Sequence, residues 1–226
     1  VSEWLATVEY RERWGEESPV NIFYLDHDPA VAARYHCDKH VVKMVTETAQ
    51  LLSTVWQVVQ PELVTVEWNL DTAYEGNLVG PPNDELGVWH AHLGRQRIYK
   101  KTHVNHPCAL WAGESTGNYE WLWRLGVELA YEYQHRYKRQ HATLSVLYTL
   151  ECPPPKLPEG EQTQPPPVMP EELTVSAGDE YDTAASYRRF YVEAKQWLLA
   201  WTRRAPPEWL ERRGERWALR GAAEQE

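Results

Sequence analysis

The chain has 226 residues, 42% of them apolar and 25% charged, and a formal net charge of −10. That length and apolar share support one hydrophobic core with at most a small appendage. No stretch is long and apolar enough to read as a transmembrane helix, so a membrane partner is not expected.

The negative charge argues against nucleic acid only if it is spread evenly, and it is not. Residues 1–19 hold five acids and two bases, residues 151–182 eight acids and one base, and residues 61–86 six acids and no base. What remains carries 14 acids and 20 bases, a net of +6. A basic surface on the core is therefore compatible with an acidic total. The first segment is acidic and has no apolar signal core, which points to a cytoplasmic location. Cys37, Cys108 and Cys152 lack metal-finger spacing and read as reduced thiols.

In chain order, residues 1–19 form an N-terminal extension. Residues 20–210 form a single all-α (mainly α) helical domain with long loops, and residues 211–226 a C-terminal tail. Asn21 to Leu25 is an apolar run of strand type. Asp28-Pro29 then starts a helix, Asp as cap and Pro at the first helical position, that runs to just before Pro61. Val31, Tyr35, Val42, Val45, Ala49, Leu52 and Trp56 make its apolar face, with Asp38 as a polar intruder. Residues 61–83 read as loop, and a helix is expected from about Asp84 to Lys100. Pro107 starts a short helix, Thr116 to Arg139 a long one, and Thr143 to Leu150 another short one. Residues 152–170 are Pro-rich and form an extended surface arm or mobile loop. A last helix spans Tyr181 to Arg203 and stops at Pro206-Pro207, with a short helical tail after it.

Opposite the apolar face of helix 28–59 lies a stripe of His36, His40, Lys43 and Glu47, extended by Gln50 and Thr54. A histidine pair one turn apart can bind a metal, a His–Glu pair can move protons near neutrality, and Lys39 and Lys43 can hold phosphate. A solvated face with a Lys–Glu pair is the plain alternative. A second cluster, Thr102-His103-Val104-Asn105-His106-Pro107-Cys108, places two histidines, an amide and a thiol in a loop ahead of a helix. A third, His135, Arg136, Lys138, Arg139 and His141, closes the long helix with cations suited either to its dipole or to phosphate.

Several motifs resemble a family of uncharacterised phage and bacterial proteins. They are Asn21-Ile22-Phe23-Tyr24-Leu25-Asp26, His36-Cys37-Asp38-Lys39-His40 with Lys43-Met44 and Glu47, His106-Pro107-Cys108, Asn118-Tyr119-Glu120-Trp121-Leu122, and the run Glu132 to His141. More remotely, the order of elements is similar to pyrimidine-dimer DNA glycosylases of the endonuclease V type. Those are small helical proteins with an early helix carrying a His and then a catalytic Glu, a later Arg-containing turn, and the amine of the second residue as nucleophile. On that resemblance His36 matches the early His, and Arg136, Tyr137 and His141 the later turn. His40 stands where the Glu is expected, so Glu47 takes its role. Nineteen residues precede Val20, which reads as a possible alternative start.

The leading expectation is an enzyme acting on DNA or a nucleotide base, glycosylase-like or base-modifying, with no cofactor. His36, His40 and Glu47 supply acid–base chemistry and Lys39, Lys43 and Arg136 hold phosphate. His103, Asn105, His106, Asn118 and His141 line the substrate pocket. Two rivals are a metal-dependent phosphoesterase, with His36, His40 and His103 or His106 as ligands, and a non-catalytic protein whose Pro-rich arm 152–170 binds a phage or host partner.

Overall fold

The computed structural model describes residues 21–61 and 98–221. The helix expected from Asp84 falls almost wholly outside them. The described chain is mainly α: helices α1 (Pro29–Tyr35), α2 (Asp38–Val59), α3 (Pro107–Ala112), α4 (Thr116–Tyr137), α5 (Leu144–Thr149) and α6 (Thr183–Ala194). Two small antiparallel hairpins join them, β1 (Ser176–Ala177) with β2 (Glu180–Tyr181), and β3 (Leu210–Arg213) with β4 (Arg216–Leu219).

The single helix expected from residue 28 to the residue before Pro61 is two helices. Its start is as read: the Asp28 carboxylate accepts from the amides of Ala30 and Val31, and Pro29 opens the first turn. At His36 and Cys37 the backbone turns extended. The free amides at the new helix start find tertiary partners, which a local reading cannot see. Asp38 N–H donates to Ala200 C=O at 2.9 Å. Meanwhile the Asp38 carboxylate accepts from the amide and hydroxyl of Thr202 and from the Arg136 guanidinium.

Helix α2 packs against α4 so closely that a Cβ on Gly126 would lie 2.7 Å from a Thr48 methyl carbon and 2.9 Å from Leu147 Cδ2. The arrangement hides α2 on most sides. Val45, Ala49, Leu52 and Trp56 are buried as expected, but so are His40, Glu47, Ser53 and Thr54. Val42, placed on the apolar face by periodicity, is 42% exposed. Asn21 to Leu25 is wholly buried but joins no strand among the described residues, and its backbone turns at Phe23.

The Pro-rich arm carries no helix or strand; it is exposed from residue 158 to 164, buries Leu157 in the core, and is fastened. Thr116 N–H donates to Pro158 C=O and Gly117 N–H to Gly160 C=O, at 2.9 and 3.0 Å. Thr163 N–H reaches Asn118 Oδ1 at 2.8 Å. Only glycine fits at 117, because a Cβ there would sit 2.5 Å from the Gln162 nitrogen.

Helix α6 ends at Ala194, well short of Arg203. The chain must leave it to bring Trp201 to Tyr35 C=O and Thr202 to Asp38. After Pro206-Pro207 comes the β3–β4 hairpin instead of a helix, with Gly214 at φ +59 supplying the turn.

Arg136 is fully buried, and its three nitrogens donate to Glu132, Asp38 and Arg34 C=O at 2.7, 2.9 and 3.1 Å. Truncation would leave Arg34 C=O without this donor and remove one cation from two largely buried carboxylates that would keep only Thr202 and Arg204. Arg136→Ala is therefore expected to cost about 3–5 kcal/mol in denaturant unfolding, and a loss under 1 kcal/mol would show the network to be dispensable.

Candidate functional site

The stripe read from the sequence divides into a sealed end and one whose ion pair reaches the surface. At the sealed end, His36 has left the helix and is 0% exposed, and His40 is 5% exposed. His36 Nδ1 meets Ala32 C=O at 2.7 Å, and His40 Nδ1 meets the Tyr191 hydroxyl at 2.5 Å. Phe23 stacks on the His40 ring with centroids 4.0 Å apart. Phe23 also holds φ +52, a conformation that costs a bulky residue roughly 1–2 kcal/mol. That turn lets its ring cap His40 while Asn21, two residues earlier, reaches Glu47.

Burial pushes His36 down to about 4, and it holds His40 well below the usual histidine range. Both rings are neutral near neutrality and closed to solvent. The expectation that they supply acid–base chemistry on an open face is therefore corrected: their environment is that of buried packing residues.

At the other end Glu47 is also buried, at 5% exposed, but its partner reaches the surface. Its carboxylate pairs with Lys43 Nζ at 3.0 Å and accepts from the Asn21 backbone N–H at 3.3 Å. Burial raises its pKa, against the opposing pull of Lys43 and the Asn21 N–H. The Lys43 side chain is 48% exposed, so the pair reaches the surface. Asn21 is itself fixed: its Oδ1 accepts from the Tyr187 hydroxyl at 2.6 Å and its Nδ2 donates to Val168 C=O at 3.0 Å.

Beyond Glu47 the stripe continues through Gln50 to Thr54, about 10 Å along the helix. There the loop before α3 docks. Thr54 Oγ1 donates to Thr102 C=O at 2.9 Å and accepts from Thr102 N–H at 3.1 Å. The loop thus lies on the same side of α2 as Glu47. At the start of α3, the Cys108 thiol is pushed up to about 12, first by burial and further by the Glu47 charge. Asn105 is exposed and His103 and His106 are half-buried. His106 Nδ1 caps α3 by accepting from Cys108 N–H at 3.2 Å.

Three further expectations are corrected. Arg136 cannot hold phosphate, since it is buried with its donors committed. Asn118 is 1% exposed, with its amide spent on Trp111 C=O and Thr163, so it fastens the arm and lines no pocket. His141 uses Nε2 on Val42 C=O and Nδ1 on Thr143 N–H, which makes it a cap. Lys39 is exposed near the start of α2. Among the described residues no three His, Cys, Asp or Glu side chains are placed to hold a metal ion, so the ligand set of the phosphoesterase reading is not assembled.

Asn21, Tyr187 and Tyr191 were not singled out as chemical groups by their sequence pattern. Asn21 stood in a motif of the resemblance. The tyrosines carry no signal beyond a spacing of one helical turn.

A family model described as pyrimidine dimer DNA glycosylase matches residues 20–145. The chain belongs to this family. No curated protein and no solved structure matches it.

The buried imidazoles make stability depend on pH. Unfolded, His36 takes a proton near 6.5; folded, only near 4. Between those values the unfolded state binds more protons, so stability is full above pH 6.5 and is lost as pH falls toward 4. The loss from His36 alone should be about 3 kcal/mol. Urea titrations of His36→Gln should show a flatter pH dependence than the parent, and identical profiles would contradict this account.

Proposed function

We propose that this chain is a DNA glycosylase that hydrolyses the N-glycosidic bond of a base turned out of the duplex, with Glu47 as its catalytic carboxylate. The observation that carries the reading is the Glu47 site: a mostly buried carboxylate of raised pKa, paired with an exposed lysine and sharing a helix side with a polar loop. Family membership supports DNA as the substrate. Lys39 and Lys43 face the backbone phosphates, and Asn105, His103 and His106 meet the extruded base.

The nitrogen that meets Glu47 is the Asn21 peptide amide. An amide nitrogen gives its lone pair to the carbonyl and can donate but not attack. The nucleophile in this reading is water. Glu47 takes a proton from it as oxygen attacks C1′ of the sugar. The C1′–N bond breaks with its electron pair passing to the base, and the base is then protonated from the Lys43 side or by solvent. Near C1′ the Glu47 carboxylate also offsets the positive charge that develops there.

Glu47→Gln should lower single-turnover base release by about 10²–10⁴-fold while leaving DNA binding intact. An unchanged rate would dismiss Glu47, and no base release from damaged or normal DNA by the parent would dismiss the enzyme reading.

The pH profile gives a second test. Catalysis needs the carboxylate, so the rate should fall on the acid side at a pH above the ordinary carboxylate range. The Lys43 charge favours the ionised form, so Lys43→Met should move that acid limb to higher pH. A shift to lower pH, or none, would contradict the pairing.

A further inference from the structure

Helix α6 and the Pro-rich arm lie beyond residue 145, where the family match stops, yet both reach the surroundings of Glu47. Thr183, Tyr187 and Tyr191 stand one turn apart on one side of α6. Thr183 holds the arm at the helix start: its N–H donates to Gln164 Oε1 at 3.0 Å and its hydroxyl to Pro165 C=O at 2.9 Å. One turn on, the Tyr187 hydroxyl accepts from Val168 N–H at 3.2 Å. Its own proton goes to Asn21 Oδ1 at 2.6 Å, and Asn21 Nδ2 closes the ring by donating to Val168 C=O at 3.0 Å.

Two distant segments thus fix one asparagine side chain. Its oxygen also accepts from Ile22 N–H at 2.7 Å, which ties the side chain to the backbone beside it. That backbone supplies the N–H that meets Glu47 Oε2 at 3.3 Å, while Lys43 takes Oε1 at 3.0 Å. Each oxygen of the carboxylate therefore has one donor, and the donor on the interior side is the one the ring holds. Tyr187 is fully buried, and burial keeps its hydroxyl protonated. The Cys108 thiol that faces it is held protonated in the same way. Near neutrality the hydroxyl is always a donor, so the ring does not switch.

We propose that Tyr187 is a positioning residue for Glu47: by locking Asn21, it holds the backbone N–H that sets the direction of the carboxylate. Val168 completes the lock, so the arm serves the site from behind. The reaction that Glu47 performs is taken from the glycosylase reading, on which this rests. Tyr187 touches no substrate, but a reacting group displaced by about 1 Å can cost on the order of 10²-fold in rate.

The test compares Tyr187→Phe with Tyr191→Phe. Tyr191 is equally buried, but its hydroxyl meets His40. Both variants lose one buried hydroxyl, and both should unfold at lower urea concentration than the parent. Only Tyr187→Phe should slow single-turnover base release at saturating DNA, by about ten- to hundredfold, with DNA affinity unchanged. Only Tyr187→Phe should move the acid limb of the rate to higher pH, because the Asn21 N–H favours the ionised carboxylate. Lys43 on α2 and the Cys108 thiol at the start of α3, the other titratable groups facing Glu47, are the same in both variants. Asn21→Ala keeps the N–H but loses the lock, and it should repeat both effects. NMR titration of the Glu47 carboxyl carbon makes the same comparison without activity. If Tyr187→Phe and Asn21→Ala match Tyr191→Phe in rate and in Glu47 titration, the positioning role is wrong and the glycosylase reading is untouched. If the parent releases no base but the Glu47 titration moves only in Tyr187→Phe and Asn21→Ala, the positioning of Glu47 holds and the glycosylase reading is what falls.

Discussion

Arg136 joins three parts of the chain at a point closed to water. Its guanidinium takes a carboxylate from α2, another from its own helix, and a backbone carbonyl from the end of α1. Arg204 then grips the far side of Glu132 in a forked contact, with its shortest distance 2.7 Å. Burying a charge is unfavourable unless it is paired and hydrogen-bonded, and here each of the three nitrogens has a partner, from α4, α2 and the end of α1. The break between α1 and α2, the exit of the chain from α6 and the end of α4 all follow from supplying those partners. Glu132 shows the balance directly: burial pulls its acidity one way, and the two arginines overcome it and hold it below the ordinary range.

That constraint decides which residues of the stripe can do chemistry. With α1 bent away from α2, His36 and His40 fall under Asn21–Leu25 and α6, where aromatic rings close over them. Two turns further along α2, Glu47 is just as buried, but its charge is paired with Lys43, whose side chain reaches the surface. The same helix face thus holds two neutral imidazoles packed among aromatic rings and one buried carboxylate paired with a lysine that reaches the surface. The groups differ less in their burial than in what each is paired with.

Local signals in the sequence were reliable where local physics decides. Asp28-Pro29, Pro61, Pro107 and the apolar spacing of Val45, Ala49, Leu52 and Trp56 gave the helices and their ends. Glu47 and the loop around Asn105 were identifiable as chemical groups because such residues are uncommon together. The break at His36 was not legible, since it depends on Ala200 and Thr202, far along the chain. Nor was the burial of Arg136 and Asn118, because a polar residue in a helix reads as surface until its partners are known. The hairpin after Pro206-Pro207 was missed for a different reason: its alternation runs through arginines, which do not register as an apolar pattern. The Asn21–Glu47 contact lay between the two, with the asparagine visible only as part of a motif.

The two tyrosines of α6 carry a consequence for the chain as it is made. Tyr187 satisfies Asn21 across 166 residues, and Tyr191 satisfies His40 across 151. A ribosome adding about 5–20 residues per second needs roughly 10–30 seconds to supply them. Throughout that interval the segment matched by the family model exists without the lid that covers its histidines. Asparagine and histidine can wait in water at little cost, where a wholly apolar surface would invite association with other nascent chains. The polar groups that look out of place in the finished core thus lessen the apolar surface that the early half presents before the late half arrives to enclose it.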